Sequence, residues 1–355
     1  MNILYIEPYL GKSHLAWFEG LKQHSKHNFN ILHLPGSKWK WRMHGGAITI
    51  ANMFNELNSN YDLIICSDFL NLPIFKSLSC DKIGRTPILV YFHENQASYP
   101  WSPEDKDIKL ERDFHYYFIN QTTSLCSSWN YFNSTYHLES YIEGLARYLA
   151  KMPDYKNKET LSLIKSKSSV LHLGCNLEKL GKARNEEKNK KPLILWNHRW
   201  EYDKNPELFF KTMIEIKNRG LDFELVLLGE RFASYPEIFK KGIEALKDNI
   251  ITHDYCSFEE YKNWLWKADI LPVTSIQDFF GISVMEAIYC NTYPILPNRL
   301  SYLELYDNKL NKNLFYNNDK EFLNKLTNAI KNHKELPKHS EITNKYRWDR
   351  IISKY

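Results

Sequence analysis

The ten residues Asp278-Phe279-Phe280-Gly281-Ile282-Ser283-Val284-Met285-Glu286-Ala287 place two acids eight positions apart with a glycine between them. The apolar run at residues 269–273 reads as a strand, and a helix begins near Gly281. A helix start offers unpaired N–H groups and the positive end of a dipole, which suits a phosphate. Gly281 removes the side chain where a ligand must approach closely. Asp278, before the helix, can reach a sugar hydroxyl. Glu286, a turn inside it, can accept hydrogen bonds from ribose hydroxyls. Taken singly, Asp278 can also be read as a helix cap and Glu286 as a surface helix acid, the lesser of the two readings for each.

A second constellation, Trp196-Asn197-His198-Arg199-Trp200-Glu201-Tyr202-Asp203-Lys204-Asn205-Pro206-Glu207, lies between a strand and a helix. Arg199 presents a planar fork of donors and Lys204 a compact charge. Together they suit a diphosphate whose bond to carbon is breaking. The bland alternative is a solvated loop with two ordinary cations. In the first half, His93 follows the apolar run at residues 87–92, and Gly11-Lys12-Ser13-His14 follows the run at 2–7. A lone histidine after a strand is more often structural, but a position at the cleft favours a functional role.

The elements that position these residues alternate. Short apolar runs at 2–7, 30–34, 62–66 and 87–92 are separated by helical patterns, the first at about 13–24. After a charged stretch the order restarts, with runs at 193–196, 224–228, 269–273 and 293–296 and a helix at about 206–219. Short strands buried on both faces, alternating with helices, indicate parallel sheets. The expected architecture is α/β. It comprises a Rossmann-like domain over 1–178, a linker over 179–191 and a second Rossmann-like domain over 192–335. Residues 336–355 form a closing helical segment that returns to the first domain, with 342–355 read as one helix. Two such domains face each other across a cleft, and ligands bind beyond the carboxyl ends of the strands.

Composition narrows the function classes. The 355 residues carry a formal net charge of +5, permitting a phosphate or nucleic-acid partner without requiring one. The six cysteines contain no Cys-x-x-Cys unit, which argues against a zinc cage or disulfide framework and for free thiols in a reducing cytoplasm. The first apolar run, ended by Glu7, reads as a strand rather than a leader, and no run is long enough to span a bilayer.

The Arg199-x4-Lys204 pair and the Asp278-x7-Glu286 box with Phe-Gly inside resemble the retaining glycosyltransferases of family 4. The resemblance implies the GT-B fold, with the donor held by the C-terminal domain. It implies that Arg199 and Lys204 hold the donor diphosphate and that Phe280, Gly281, Ile282 and Ser283 offer backbone groups to the phosphates and sugar. Glu286 would bind the ribose, and Glu230 and Tyr255 would lie near the nucleotide. Gly11 would let the backbone approach the phosphates, and His93 would contact the donor sugar. The family usually has Glu where this chain has Asp278, one methylene shorter.

A narrower resemblance covers nearly the whole chain. Gly11-x-Ser13-His14, Lys38-Trp39-x-Trp41-Arg42, Tyr91-Phe92-His93-Glu94-Asn95-Gln96, Glu111-Arg112-Asp113-Phe114, Phe132-Asn133-Ser134, Pro153-Asp154 and His198-Arg199-Trp200-Glu201 look like the tRNA-queuosine α-mannosyltransferases. That resemblance implies GDP-mannose as donor and the cyclopentenediol of queuosine in tRNA-Asp as acceptor. It implies retention of configuration without a metal or other cofactor; no obligate protein partner is evident from the sequence. His14, Trp39, Trp41, Arg42, Asn95 and Gln96 are the acceptor-side candidates, with His93, Asp278 and Glu286 catalytic. Cations interleaved with tryptophans at 38–42 suit phosphate contacts and base stacking, or else a strand edge with buried tryptophans. Arg147, Lys151, Lys156, Lys158, Lys165 and Lys167 could add a basic surface. Yet residues 1–178 hold 18 Lys+Arg against 17 Asp+Glu, a net of +1, so an RNA footprint must come from local clustering. Two other readings stay open: a family 4 enzyme acting on a polysaccharide or lipid, and a non-catalytic RNA- or nucleotide-binding protein on the same scaffold.

Overall fold

The computed structural model describes residues 1–107, 109–110, 114–182, 189–231 and 235–355. Residues 183–188 of the linker expected at 179–191, and the Glu111-Arg112-Asp113 string, lie outside the described residues. The chain divides into two units, Met1–Cys175 with Trp348–Tyr355, and Asn176–Arg347. Each is built on a six-stranded parallel sheet.

The first sheet contains β1 (Asn2–Leu10), β2 (Asn28–Pro35), β3 (Leu63–Ser67), β4 (Ile88–Phe92), β5 (Trp129–Phe132) and β6 (Ser168–Val170), in the order β2-β1-β3-β4-β5-β6. Ile3, Leu4, Tyr5 and Ile6 are all buried, as expected for a strand covered on both faces. The chain steps from β1 outward to β2, then returns to place β3 on the other side. The carboxyl ends of β1 and β3 therefore flank a topological switch point.

The second sheet repeats the device with β7 (Leu193–Trp196), β8 (Glu224–Leu227), β9 (Ile250–Thr252), β10 (Ile270–Pro272), β11 (Tyr293–Pro297) and β12 (Phe315–Tyr316). Its order, β12-β11-β10-β7-β8-β9, puts the switch point between β7 and β10. The segments that follow these two strands are the Arg199–Lys204 loop and the Asp278–Gly281 loop. The core beneath holds Trp196, Trp200, Phe209, Phe239 and Leu227.

Several expectations change. The 38–42 segment is neither a strand edge nor a loop. It opens the helix Trp39–Glu56, whose Met43, Ala47, Ile50, Ala51 and Phe54 are buried at helical spacing. The stretch 342–355 is not one helix. A 3-10 turn over Ser340–Tyr346 ends at Arg347, which is extended, and a short helix Trp348–Ile351 and a 3-10 turn Ile352–Lys354 follow. The second unit keeps residues up to Arg347, so only Trp348–Tyr355 belongs to the first. There Trp348 fills the space above two glycines. A Cβ on Gly20 would meet its Nε1 at 2.0 Å, and one on Gly174 would meet its Cδ2 at 2.2 Å. Leu177–Leu180 belongs to the second unit, where Trp266 Nε1 donates to Leu180 O at 2.8 Å.

Candidate active site

At the switch point of the second sheet, Lys204 is the node. Its side chain is only 10% exposed, and its Nζ donates to Gln277 O at 2.9 Å and lies 3.2 Å from Asp203 Oδ2 and 3.3 Å from Asp278 Oδ2. Burial pulls its pKa down, but the two carboxylates outweigh burial and leave it raised, so Lys204 keeps its charge. Local geometry places it there. Asn205 adopts a left-handed conformation and caps the helix Pro206–Asn218, accepting from Leu208 N. Thr274 Oγ donates to Lys204 O at 2.7 Å and Ile276 N to Asp203 O at 2.8 Å, stitching the two loops together.

Asp278 receives Tyr302 OH at 2.9 Å on the same Oδ2 that faces Lys204. Gly281 then turns left-handed, with φ of 85°. A Cβ there would stand 3.1 Å from the Tyr302 ring, so the turn favours glycine on both counts. The helix Ile282–Tyr289 follows with no side-chain cap, and its first backbone bond runs from Met285 N to Gly281 O. The amides of Ile282, Ser283 and Val284 precede that bond and have no intrahelical acceptor. Phe280 is buried against Tyr346 rather than turned to a ligand, with ring centroids 5.4 Å apart. Arg199 is more open, at 44% exposure. It pairs with Glu201 Oε2 at 3.0 Å and approaches Asp203 Oδ2 at 3.7 Å.

Glu286, one turn into the helix, accepts from Tyr261 OH at 2.7 Å. Asn197 Nδ2 in turn reaches Tyr261 OH at 3.3 Å and Ser283 O at 2.8 Å. Burial lifts the Glu286 carboxyl to about 7, despite the opposing Tyr261 bond. His198 is buried with Nδ1 3.3 Å from Ser283 Oγ. Burial first and Lys204 second push it down to about 4, so it is neutral. Gly229, with φ of 119°, lets β8 end directly under this loop, because a Cβ would lie 2.0 Å from His198 O. Glu230 O accepts from Trp200 N at 3.1 Å, whereas Tyr255 is 72% exposed.

At the switch point of the first sheet, Glu7 is fully buried and receives four donors. Tyr9 N (2.9 Å) and Ser67 Oγ (2.7 Å) reach Oε1, and Tyr5 OH (2.7 Å) and His14 Nδ1 (2.9 Å) reach Oε2. The His14 ring stacks on His93 with centroids 4.1 Å apart, and His93 Nε2 lies 3.3 Å from Tyr5 OH. The His93 backbone is held by Asp68 Oδ1 and Asn133 Nδ2. Ligand atoms of Glu7, His14 and His93 come within 4.8 Å of one another, a spacing a cation could bridge, but the Glu7 oxygens are committed to these protons. Gly11 caps the helix Lys12–His24, its N–H donating to Tyr9 O.

Residues 2–175 match the family described as tRNA-queuosine alpha-mannosyltransferase N-terminal, and residues 178–346 match glycosyl transferases group 1. A tRNA-queuosine alpha-mannosyltransferase from Drosophila melanogaster is 31% identical over 336 residues, covering 92% of this chain and 86% of the relative. The chain belongs to the tRNA-queuosine alpha-mannosyltransferase family. It is a hexosyltransferase, and mannosyl transfer to queuosine in tRNA is its reaction. The fold agrees. Sucrose-phosphate synthase from Thermosynechococcus elongatus superposes with a TM-score of 0.73 at 14% identity, covering 100% of this chain and 97% of that one. Anabaena HepE in complex with UDP-glucose superposes at 0.64 and 14% identity, covering 100% and 95%. These set the fold as GT-B.

For an alpha-mannosyltransferase of this family, the acceptor-side candidates separate into two groups. Trp39 and Trp41 lie about 200° apart around one helix, so they cannot face the same way. Trp39 packs with Tyr116, Met43 and Phe69. Trp41 is 63% exposed and lies across Gly45, where a Cβ would meet its ring at 2.6 Å. Arg42 Nε donates to Pro35 O. Lys40 is held by Asp105 at 2.7 Å and Asp107 at 2.5 Å. Asn95 Oδ1 accepts from Ser98 N and Oγ and shapes a turn, and Gln96 Nε2 donates to Glu94 at 2.8 Å. Two lysines of the expected basic surface close helix ends instead. Lys156 Nζ caps Ala150 O, and Lys167 Nζ bonds Leu125 O and Ser127 O.

Sequence reasoning missed Glu7, Asn197, His198, Asp203, Tyr261 and Tyr302 as site groups. One signal was available for Tyr261. Ser257-x-x-Glu260 forms a capping box that fixes the start of the helix Phe258–Lys267 and so the direction of Tyr261. Among the described residues no helix is long and apolar enough to cross a membrane.

Proposed function

We propose that the donor is GDP-mannose, bound at the β7/β10 switch point of the second unit. The acceptor hydroxyl is on the cyclopentenediol of queuosine in tRNA-Asp, and the α configuration is retained. The observation that carries the donor reading is Lys204 Nζ held between Asp203 and Asp278, in the loops that lead to an uncapped helix start at Gly281. Arg199 and Lys204 are balanced by Glu201, Asp203 and Asp278. An arriving diphosphate therefore takes over cations already in place, and the amides of Ile282, Ser283 and Val284 add neutral donors.

Glycosyl transfer passes through an oxocarbenium-like transition state while negative charge grows on the departing GDP. Lys204, Arg199 and the helix start stabilise that charge from fixed positions. Both donors to Asp278 fall on Oδ2, which leaves Oδ1 to orient a mannose hydroxyl. Glu286 accepts from the ribose, and His93 at the carboxyl end of the first sheet contacts a substrate hydroxyl. Side chains and amides meet the diphosphate charge in this reading, and no metal is invoked. The place of action is the cytoplasm, where the tRNA is.

Thermal-shift measurements with GDP-mannose, UDP-glucose and UDP-N-acetylglucosamine test the donor. A ligand at about one hundred times its Kd adds about 2.7 kcal/mol to the native state. GDP-mannose should raise the Tm and the UDP sugars should leave it in place. Stabilisation by a UDP sugar alone would overturn the assignment.

A further inference from the structure

We infer that Glu7, Tyr5 and His14 form a positioning device that presents His93 Nδ1 as a bare hydrogen-bond acceptor for a substrate hydroxyl at the carboxyl end of the first sheet. The inference rests on the reading of His93 as a substrate-contacting residue, and it begins from proton counting. Tyr5 has one hydroxyl proton, and Glu7 Oε2 at 2.7 Å takes it. The Tyr5 oxygen can then only accept in its 3.3 Å contact with His93 Nε2, so Nε2 must carry the proton. A neutral imidazole has one N–H, which leaves Nδ1 with its lone pair exposed. Nothing in the Tyr91-Phe92-His93-Glu94 string discloses this tautomer. It is set by a residue 86 positions away, through one phenol.

His14 supplies the second half. Its Nδ1 also bonds Glu7 Oε2, and its ring lies flat on His93 at 4.1 Å. Burial pulls His14 down, but Glu7 more than compensates and raises it to about 8. Burial, then the stacked His14, push His93 well below the ordinary histidine range. A charged His14 against a neutral His93 keeps the acceptor lone pair unprotonated at neutral pH. The other titratable groups acting on the two rings are Asp68 at the end of β3, Glu94 beside His93, and His137 on the helix Thr135–Ala150. Trp17 and Tyr91 complete the wall around His93 without charge.

The test combines histidine side-chain 15N spectra with kinetics on the full chain. Wild-type His93 should show the Nε2–H tautomer. Tyr5→Phe keeps the shape and removes the relay oxygen, and Glu7→Gln removes the charge that orders both rings. Each should shift His93 toward mixed tautomers and lower kcat for mannosyl transfer about tenfold, the worth of one hydrogen bond, with KM for GDP-mannose little changed. Glu7→Gln should also shift the alkaline limb of the pH–rate profile downward as His14 loses its partner. Ser67→Ala, which removes a Glu7 donor on the other oxygen, should leave the tautomer in place. An Nδ1–H tautomer in the wild type overturns the inference, as does a tautomer unmoved in both variants. A tautomer switch without a change in kcat overturns it too, and locates the failure in the substrate-contacting role of His93 rather than in the proton arrangement.

Discussion

At the residue scale the donor site turns on two buried ionisable groups. Lys204 is charged because Asp203 and Asp278 flank it, so its loss removes a preorganised cation and leaves two carboxylates facing each other. Lys204→Met should lower kcat by about 10²–10³-fold, the range for removing one transition-state donor. Initial-rate kinetics at saturating tRNA would show it. Glu286 sets a pH dependence. Its carboxyl titrates at about 7 in the folded protein because burial penalises its charge. Ribose hydroxyls bond better to the carboxylate than to the acid, so GDP affinity should rise between pH 6 and 8. Calorimetric titration of GDP across that range should show the slope vanish in Glu286→Gln. The stability sign is opposite. Between the ordinary glutamate range and pH 7 the folded chain holds a proton that the unfolded chain has lost, so this group lowers stability as pH rises.

At the element scale, the helix Trp39–Glu56 separates two tryptophans that the sequence presents as a pair. Trp41, exposed and lying over Gly45, has the geometry of a stacking platform for an unpaired base, and the half-buried Trp39 packs against the Met43–Phe69–Tyr116 cluster. Trp41→Ala should weaken tRNA binding by about 1–3 kcal/mol, the worth of one base–aromatic stack, without moving the Tm. Trp39→Ala should lower the Tm. Filter binding and calorimetry on the two variants distinguish them. The same helix shows why part of the fold escaped the sequence. Lys-Trp-Lys-Trp-Arg alternates with period two, which mimics a strand. The deciding signal, Met43 to Phe54 at helical spacing, lies downstream. The strands β5, β6, β9 and β12 were equally hidden, being two to four residues long, with β6 only half-buried. The site residues that were legible, His93, Arg199, Lys204 and Asp278, all follow a strand's carboxyl end, where topology demands a ligand. Those that were not, Glu7, Tyr261 and Tyr302, act through contacts with residues far along the chain, which no local pattern records.

At the scale of the whole molecule, the last eight residues complete the first unit rather than the second. Trp348 is 2% exposed, seated over Gly20 and Gly174, and Tyr355 OH donates to His172 O at 2.7 Å. Gly174→Ala puts a methyl into the indole and should cost about 1–3 kcal/mol by overpacking. Differential scanning calorimetry should show the transition of the first unit lowered and that of the second unchanged. Both sheets follow one rule, in which the chain reverses direction beside its first strand and the chemistry-bearing residues collect where it does. The donor-side candidates stand at strand ends for that reason, whereas the acceptor-side candidates Trp39, Trp41, Asn95 and Gln96 lie on a helix and in a turn. The Lys204 site is proposed to deliver mannose from GDP-mannose to queuosine. The most direct test is the incorporation of labelled mannose from GDP-mannose into tRNA, with and without queuosine, by the wild type and Lys204→Met. Label should enter the queuosine-containing tRNA only, and at least a hundredfold more slowly with the variant. No label in that tRNA, or equal label with Lys204→Met, would contradict the account.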